Sequence, residues 1–80
     1  MINNRDENGR SVLHWAASSG QKQLVQWLIE HNAEIDALDD SRWTPLIIAS
    51  SAGHEAVVKL LLSAGANVNK CTDQVYYYRQ

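Results

Sequence analysis

The chain has 80 residues, with 7 Lys and Arg against 9 Asp and Glu, for a formal charge of −2. Apolar types make up 45% and charged types 20%, an ordinary balance for a globular chain. These figures exclude two domains or a large enclosed cleft, net neutralisation of nucleic-acid phosphates and a disulfide framework, since Cys71 stands alone. No run of about 18 apolar residues offers a bilayer span. The opening stretch, Met1 to Arg10, lacks the apolar core of a signal peptide, so a reducing compartment is expected. A core this small supplies only a few kcal/mol, so the chain needs further support to fold.

In chain order, Ser11 is a candidate N-cap for a short helix. Leu13, Ala16 and Ala17 follow at i, i+3 and i+4, one face of that helix, and Gly20 ends it. A second helix is predicted from about Lys22 to His31, with Leu24, Val25, Leu28 and Ile29 on its apolar face. Residues 32–43 are polar and suit a projecting turn. Thr44-Pro45 starts a third helix with Pro in its first turn. Leu46, Ala49 and Ser50 occupy the face of Leu13, Ala16 and Ala17, and Gly53 closes the helix. Val57, Val58, Leu61 and Leu62 line a fourth helix, which Gly65 ends, and residues 66–75 repeat the polar loop. The small residues on the first and third helices allow close helix approach.

A shift of 33 aligns residues 6–38 with 39–71 without a gap. Eight positions are identical: Asp6/Asp39, Leu13/Leu46, Ala16/Ala49, Ser18/Ser51, Gly20/Gly53, Val25/Val58, Leu28/Leu61 and Ala33/Ala66. A fixed period of this size marks a repeat architecture. The pieces T-P-L-x-x-A (Thr44 to Ala49), L-H-W-A-A (Leu13 to Ala17), A-G-H-E-A-V-V-K-L-L-L (Ala52 to Leu62) and G-A-N-V-N (Gly65 to Asn69) recur in that register. With them the chain resembles the ankyrin repeat over about residues 2–74. The resemblance implies an all-α solenoid of two full helix-turn-helix repeats, 6–38 and 39–71. Residues 1–5 would be the tail of a preceding repeat, and 72–80 the start of an interrupted third. It also implies that His14 holds a loop by hydrogen bonds at the helix start. Ile47 in the second repeat removes one such tie.

No chemistry is expected. His14, His31, His54 and Cys71 are 17, 23 and 17 residues apart, unlike the tight pairs of zinc sites, so neither metal nor cofactor is implied. Ser18, Ser19, Ser50, Ser51 and Ser63 lie in helical contexts without a nucleophile elbow. Dispersed glycines form no phosphate cradle. Trp15 and Trp27 are expected to pack in the core or between repeats. Asp39-Asp40 is expected at a solvated loop tip, or as half of a charge contact with a partner.

Trp43 and Arg10 share one register in the loop before the helix. In ankyrin repeats that register faces the concave partner side, where Trp and Arg dominate binding. Arg42 and Tyr76 extend the surface. Arg42 stands where the family usually has Gly, as Gly9 does in the first repeat, and a left-handed turn there costs Arg about 1 kcal/mol. Tyr76, Tyr77 and Tyr78 would be an exposed apolar cluster if the chain ends there, an association liability or a sign of truncation.

The stretches Asp6 to Gly20 and Asp39 to Leu61 resemble, more narrowly, consecutive repeats of the gankyrin-like family of proteasome assembly chaperones. That resemblance implies a concave-face contact with the C-terminal domain of a proteasomal ATPase subunit, through complementary charges. Its contact positions would be Arg10, Asp39, Asp40 and Trp43. A cytoplasmic and/or nuclear protein is expected, monomeric or weakly self-associating, and the charge balance and the lack of an apolar span imply no nucleic-acid or membrane partner. The family's L-x-C-x-E motif is absent. Two other readings stand beside it: an ankyrin segment of a larger enzyme or channel, and a truncated product without independent function.

Overall fold

A computed structural model describes residues 4–67. Four helices and no strand occur among them: α1 (Val12–Ser19), α2 (Lys22–Glu30), α3 (Pro45–Ala52) and α4 (Glu55–Ser63). Each start has a local cause. The Ser11 hydroxyl accepts from the His14 N–H, and the His14 side chain accepts from the Ser11 N–H in return, a capping box with imidazole in the usual carboxylate's place. Thr44 caps α3 by accepting from the Ile47 N–H, and Pro45 follows at the first helical position. α2 stops one residue short of the expected end, with His31 as its cap.

Gly20 and Gly53 end α1 and α3 in the left-handed conformation, at φ 69° and 80°. Their surroundings differ. A Cβ on Gly20 would lie 2.7 Å from the His54 ring, whereas one on Gly53 would meet nothing within 4 Å. Both Ala substitutions suffer the left-handed penalty of about 1 kcal/mol, and only Gly20→Ala also displaces His54. Gly20→Ala is therefore expected to lower unfolding free energy by about 1 kcal/mol more than Gly53→Ala in matched urea titrations. Equal losses would mean the ring moves aside freely.

The helix pairs stack in parallel. α1 packs on α3, α2 packs on α4, and each helix also packs on its hairpin partner. The core runs through all four helices: Leu13, Ala16, Ala17, Val25 and Leu28 meet Leu46, Ala49, Val57, Val58 and Leu61. Alanines on α1 and α3 bring those helices close, as the small residues predicted.

The two tryptophans on the first pair depart from expectation. Trp15 and Trp27 are each 50% exposed. The same register in the second pair holds Ile48, which is buried, and Leu60, which is half-buried. That register faces the preceding helix pair, and the first pair has none against it among the described residues. Trp15 instead donates its indole N–H to Asp6 at 2.9 Å. Trp27 stacks on His31 with centroids 3.9 Å apart.

Candidate protein-binding face

The loops before α1 and α3 share one design. The Asp6 carboxylate accepts from the N–H groups of Asn8 at 2.8 Å and Arg10 at 2.9 Å. The Asp39 carboxylate does the same for Ser41 at 2.9 Å and Trp43 at 2.8 Å. An aspartate that receives two N–H groups of the following turn folds the loop back on itself. Backbone bonds close both loops, Asp6 N–H to the Arg10 carbonyl at 2.9 Å and Asp39 N–H to the Trp43 carbonyl at 3.0 Å. The loops also join each other, because the Asp40 N–H donates to the Asn8 carbonyl at 2.9 Å. Their tips form one continuous edge.

This geometry corrects the expectation for Asp39. Its side chain is 1% exposed, so it is no solvated tip. One oxygen holds its own turn, and the other receives Arg10 Nε at 3.1 Å. Burial opposes its ionisation, but the Trp43 N–H, the Arg10 guanidinium and the Ser41 N–H outweigh it and hold the carboxyl below its ordinary value. The signal was present in the sequence as an Asp at the same register of both repeats, Asp6 and Asp39, each followed by a polar residue two places on. Asp40 is exposed, Arg42 is exposed, and Trp43 and Arg10 are half-buried, all on the same edge. Tyr76 and the Tyr77-Tyr78 pair lie outside the described residues, as do Cys71 and the loop that Ile47 would fail to tie.

Arg42 has the positive φ expected of a glycine position, 66° against 74° at Gly9. Arg5 bridges the first loop and the segment before the second, donating to the Gly9 carbonyl at 3.1 Å. It donates to the Leu38 carbonyl at 2.8 Å and pairs with Glu34 at 3.2 Å.

His14 ties the two repeats together. It is fully buried. Nδ1 accepts the Ser11 N–H at 3.1 Å, which leaves Nε2 to carry the proton and donate to the Trp43 carbonyl at 2.9 Å. At the other end of the short helices, His54 Nε2 donates to the Ser18 carbonyl at 3.0 Å. Sequence reasoning assigned the first tie and missed the second, whose length depends on how far apart the helix pairs stack.

The Ser11 hydroxyl lies 2.9 Å from His14 Nδ1, a nucleophile–base distance that spacing alone did not suggest. It cannot serve as one. Ser11 is 2% exposed and His14 is sealed, so no substrate reaches the hydroxyl, and the imidazole's other nitrogen meets a backbone carbonyl rather than an orienting carboxylate. Among the described residues, no three His, Cys, Asp or Glu side chains cluster as a metal site would.

Burial pushes the His14 imidazole below its ordinary value, against the opposing pull of the Trp43 carbonyl and Asp39. Below about pH 6.5 the unfolded chain takes up a proton on His14 that the folded chain refuses. This stabilising contribution is complete above that pH and is lost as pH falls toward the folded-state value. The urea midpoint should therefore drop between pH 7 and about pH 5.5, and the drop should shrink in His14→Ile. A midpoint equally pH-dependent in both proteins would remove His14 as its source.

Comparison with known proteins agrees with this construction. A family model described as ankyrin repeats in three copies matches residues 1–71. The 26S proteasome non-ATPase regulatory subunit 10 of Dictyostelium discoideum is 47% identical over 64 residues, 79% of this chain and 28% of that protein. Protein phosphatase 1 regulatory subunit 27 of Mus musculus is 36% identical over 66 residues, 82% of this chain and 43% of that protein. Potassium channel AKT1 of Oryza sativa subsp. indica is 38% identical over 65 residues, 81% of this chain and 7% of the channel. The chain thus spans less than half the length of each of these relatives. With paired helices, left-handed glycine caps and loops docked in register, all under a family match across residues 1–71, the chain belongs to the ankyrin-repeat family.

Proposed function

We propose that the chain is a non-catalytic protein-binding segment of a gankyrin-like assembly chaperone of the proteasome regulatory particle. Its partner is the C-terminal domain of a proteasomal ATPase subunit, met on the face formed by the short helices and loop tips, in the cytoplasm or nucleus. The observation that carries this reading is the continuous loop edge. The Asp40–Asn8 backbone bond and the His14–Trp43 tie fix it before any partner arrives, and it displays Arg42, Trp43, Asp40 and Arg10. A preordered edge loses little entropy on binding, and Trp and Arg are the side chains that dominate such contacts. The similarity to the proteasomal subunit supports the choice of partner. Asp39 acts from beneath this face by holding the turn and Arg10.

The test is capture of the chain by an immobilised C-terminal domain of the ATPase subunit. Trp43→Ala and Arg10→Ala should each weaken capture at least about tenfold. Undiminished capture by both variants overturns the site. A second reading, an ankyrin segment of a larger unrelated protein, draws on the similarity to the potassium channel, where the match covers 7% of the length. Transcript sequence on both sides of these codons separates the two. Further repeats favour the chaperone, and a catalytic or membrane-spanning segment favours the alternative.

A further inference from the structure

The first loop carries Asn8-Gly9 where the second carries Ser41-Arg42. A Cβ on Gly9 would lie 2.6 Å from the Asp40 carboxylate and 3.1 Å from the Asp40 nitrogen, so the second loop docks flush only on a glycine. The same missing side chain leaves the Gly9 nitrogen open to chemistry. An asparagine side chain cyclises onto the amide nitrogen of the next residue, and a glycine there puts no Cβ in the way. Asn8 is the one asparagine of the sequence that precedes glycine, the others preceding Asn, Arg, Ala, Val or Lys.

Asn8 is exposed with the second loop docked on it, and Ser41, which has a loop docked before it, is exposed as well. Docked in the same way, a loop ahead of the first meets Glu7, in the register of Asp40, and not Asn8. Solvent therefore reaches Asn8 inside a longer stack too. The docked loop opposes the cyclisation from within. The Gly9 N–H donates to the Asp6 carbonyl at 3.0 Å, and that nitrogen must give up its proton to attack. The Asn8 carbonyl accepts the Asp40 N–H at 2.9 Å. Both ends of the Asn8–Gly9 peptide group are thus held, and ring closure needs that group to turn toward the side chain.

We propose that Asn8 is a site of spontaneous isoaspartate formation, restrained by the docked second loop, and that the modification stops the loop from docking again. With the loop lifted, the Gly9 nitrogen loses its proton to solvent base and attacks Asn8 Cγ. The N–Cγ bond forms, the bond from Cγ to the side-chain nitrogen breaks, and that nitrogen takes up a proton and leaves as ammonia. Water then opens the cyclic imide. Opening at the former α-carbonyl gives isoaspartate, in which the main chain runs through Cγ with an added methylene and the α-carbonyl becomes a carboxylate. Nothing is oxidised or reduced, and water is the co-reactant. The carbonyl that received Asp40 now ends a side branch, and its new charge faces the Asp40 carboxylate. Ser41 has no amide, so the second loop does not take this path. The modification holds whatever partner the loop edge takes.

The experiment incubates the 80-residue chain, and a blocked peptide spanning residues 4–13, in mildly alkaline buffer. Peptide mapping with electron-transfer fragmentation separates isoaspartate from aspartate at each asparagine. Product is expected first at Asn8, at least about tenfold more slowly in the chain than in the peptide. Asp40→Pro suits the second position of its turn, which the Arg42 N–H closes on the Asp39 carbonyl at 2.9 Å, but it removes the donor to Asn8. It should speed the reaction at least about threefold at unchanged helix content, and Asn8→Gln should abolish it. The modified chain should lose amide-exchange protection at Asp40 while α1 and α3 keep theirs. Equal rates in chain and peptide, Asp40→Pro no faster than wild type, or undiminished protection at Asp40 after modification overturns the proposal.

Discussion

Leu61→Ala should leave much of the chain unfolded at 25 °C. Leu61 is fully buried on α4 and belongs to the one core that links all four helices. Removing a buried leucine's outer carbons costs their transfer free energy plus that of the cavity left behind, about 2–5 kcal/mol. A single core in a chain this short supplies only about 3–5 kcal/mol. The loss is therefore comparable to the whole. Leu62→Ala, at a half-buried position one residue on, is the control and should cost about 1 kcal/mol. Circular-dichroism urea titrations of both variants give the comparison. If Leu61→Ala costs no more than Leu62→Ala, α4 does not hold the core together.

The second large effect is expected from His14→Ile. The substitution copies Ile47, which fills the same position in the second repeat and is itself buried. Shape is therefore not the difficulty. The cost lies in hydrogen bonds. The Ser11 N–H, almost sealed from water, loses its acceptor, and the Trp43 carbonyl keeps only the Asp39 N–H. An orphaned buried donor costs about 1–3 kcal/mol and a lost bond to a carbonyl about 1 kcal/mol more. We expect a total of about 2–4 kcal/mol, with faster amide exchange at Ser11 and in residues 39–43. Exchange confined to α1, with the loop still protected, would show that the imidazole does not position the loop.

Most of the helical frame was legible in the sequence because each signal was local and occurred twice. Ser11 and Thr44 begin helices, Gly20 and Gly53 end them, and the aliphatic spacing marks the inner face. What escaped depended on distances between repeats. Nothing in the order of residues says that Ile48 is covered while Trp15 in the same register is half-exposed. That difference belongs to the order of stacking rather than to the side chain. The candidate site was half legible. The register of Arg10 and Trp43 pointed to the loop edge, and Arg42 was recognised as occupying a glycine's place. Asp39 was misjudged because a carboxylate in a polar loop resembles a solvated one until its turn closes. The doubling of loop upon loop required the Gly9–Asp40 approach, which only coordinates reveal.

His14 grips position 43 through the main-chain carbonyl and leaves the indole out of the tie. Any amino acid other than proline supplies the same carbonyl in the same place, together with the N–H that Asp39 requires. Arg10, at the same register of the preceding loop, likewise supplies backbone groups to the turn. Position 43 can therefore be rewritten while the loop keeps its shape. A library randomised at this position would vary in what it captures far more than in how well it folds.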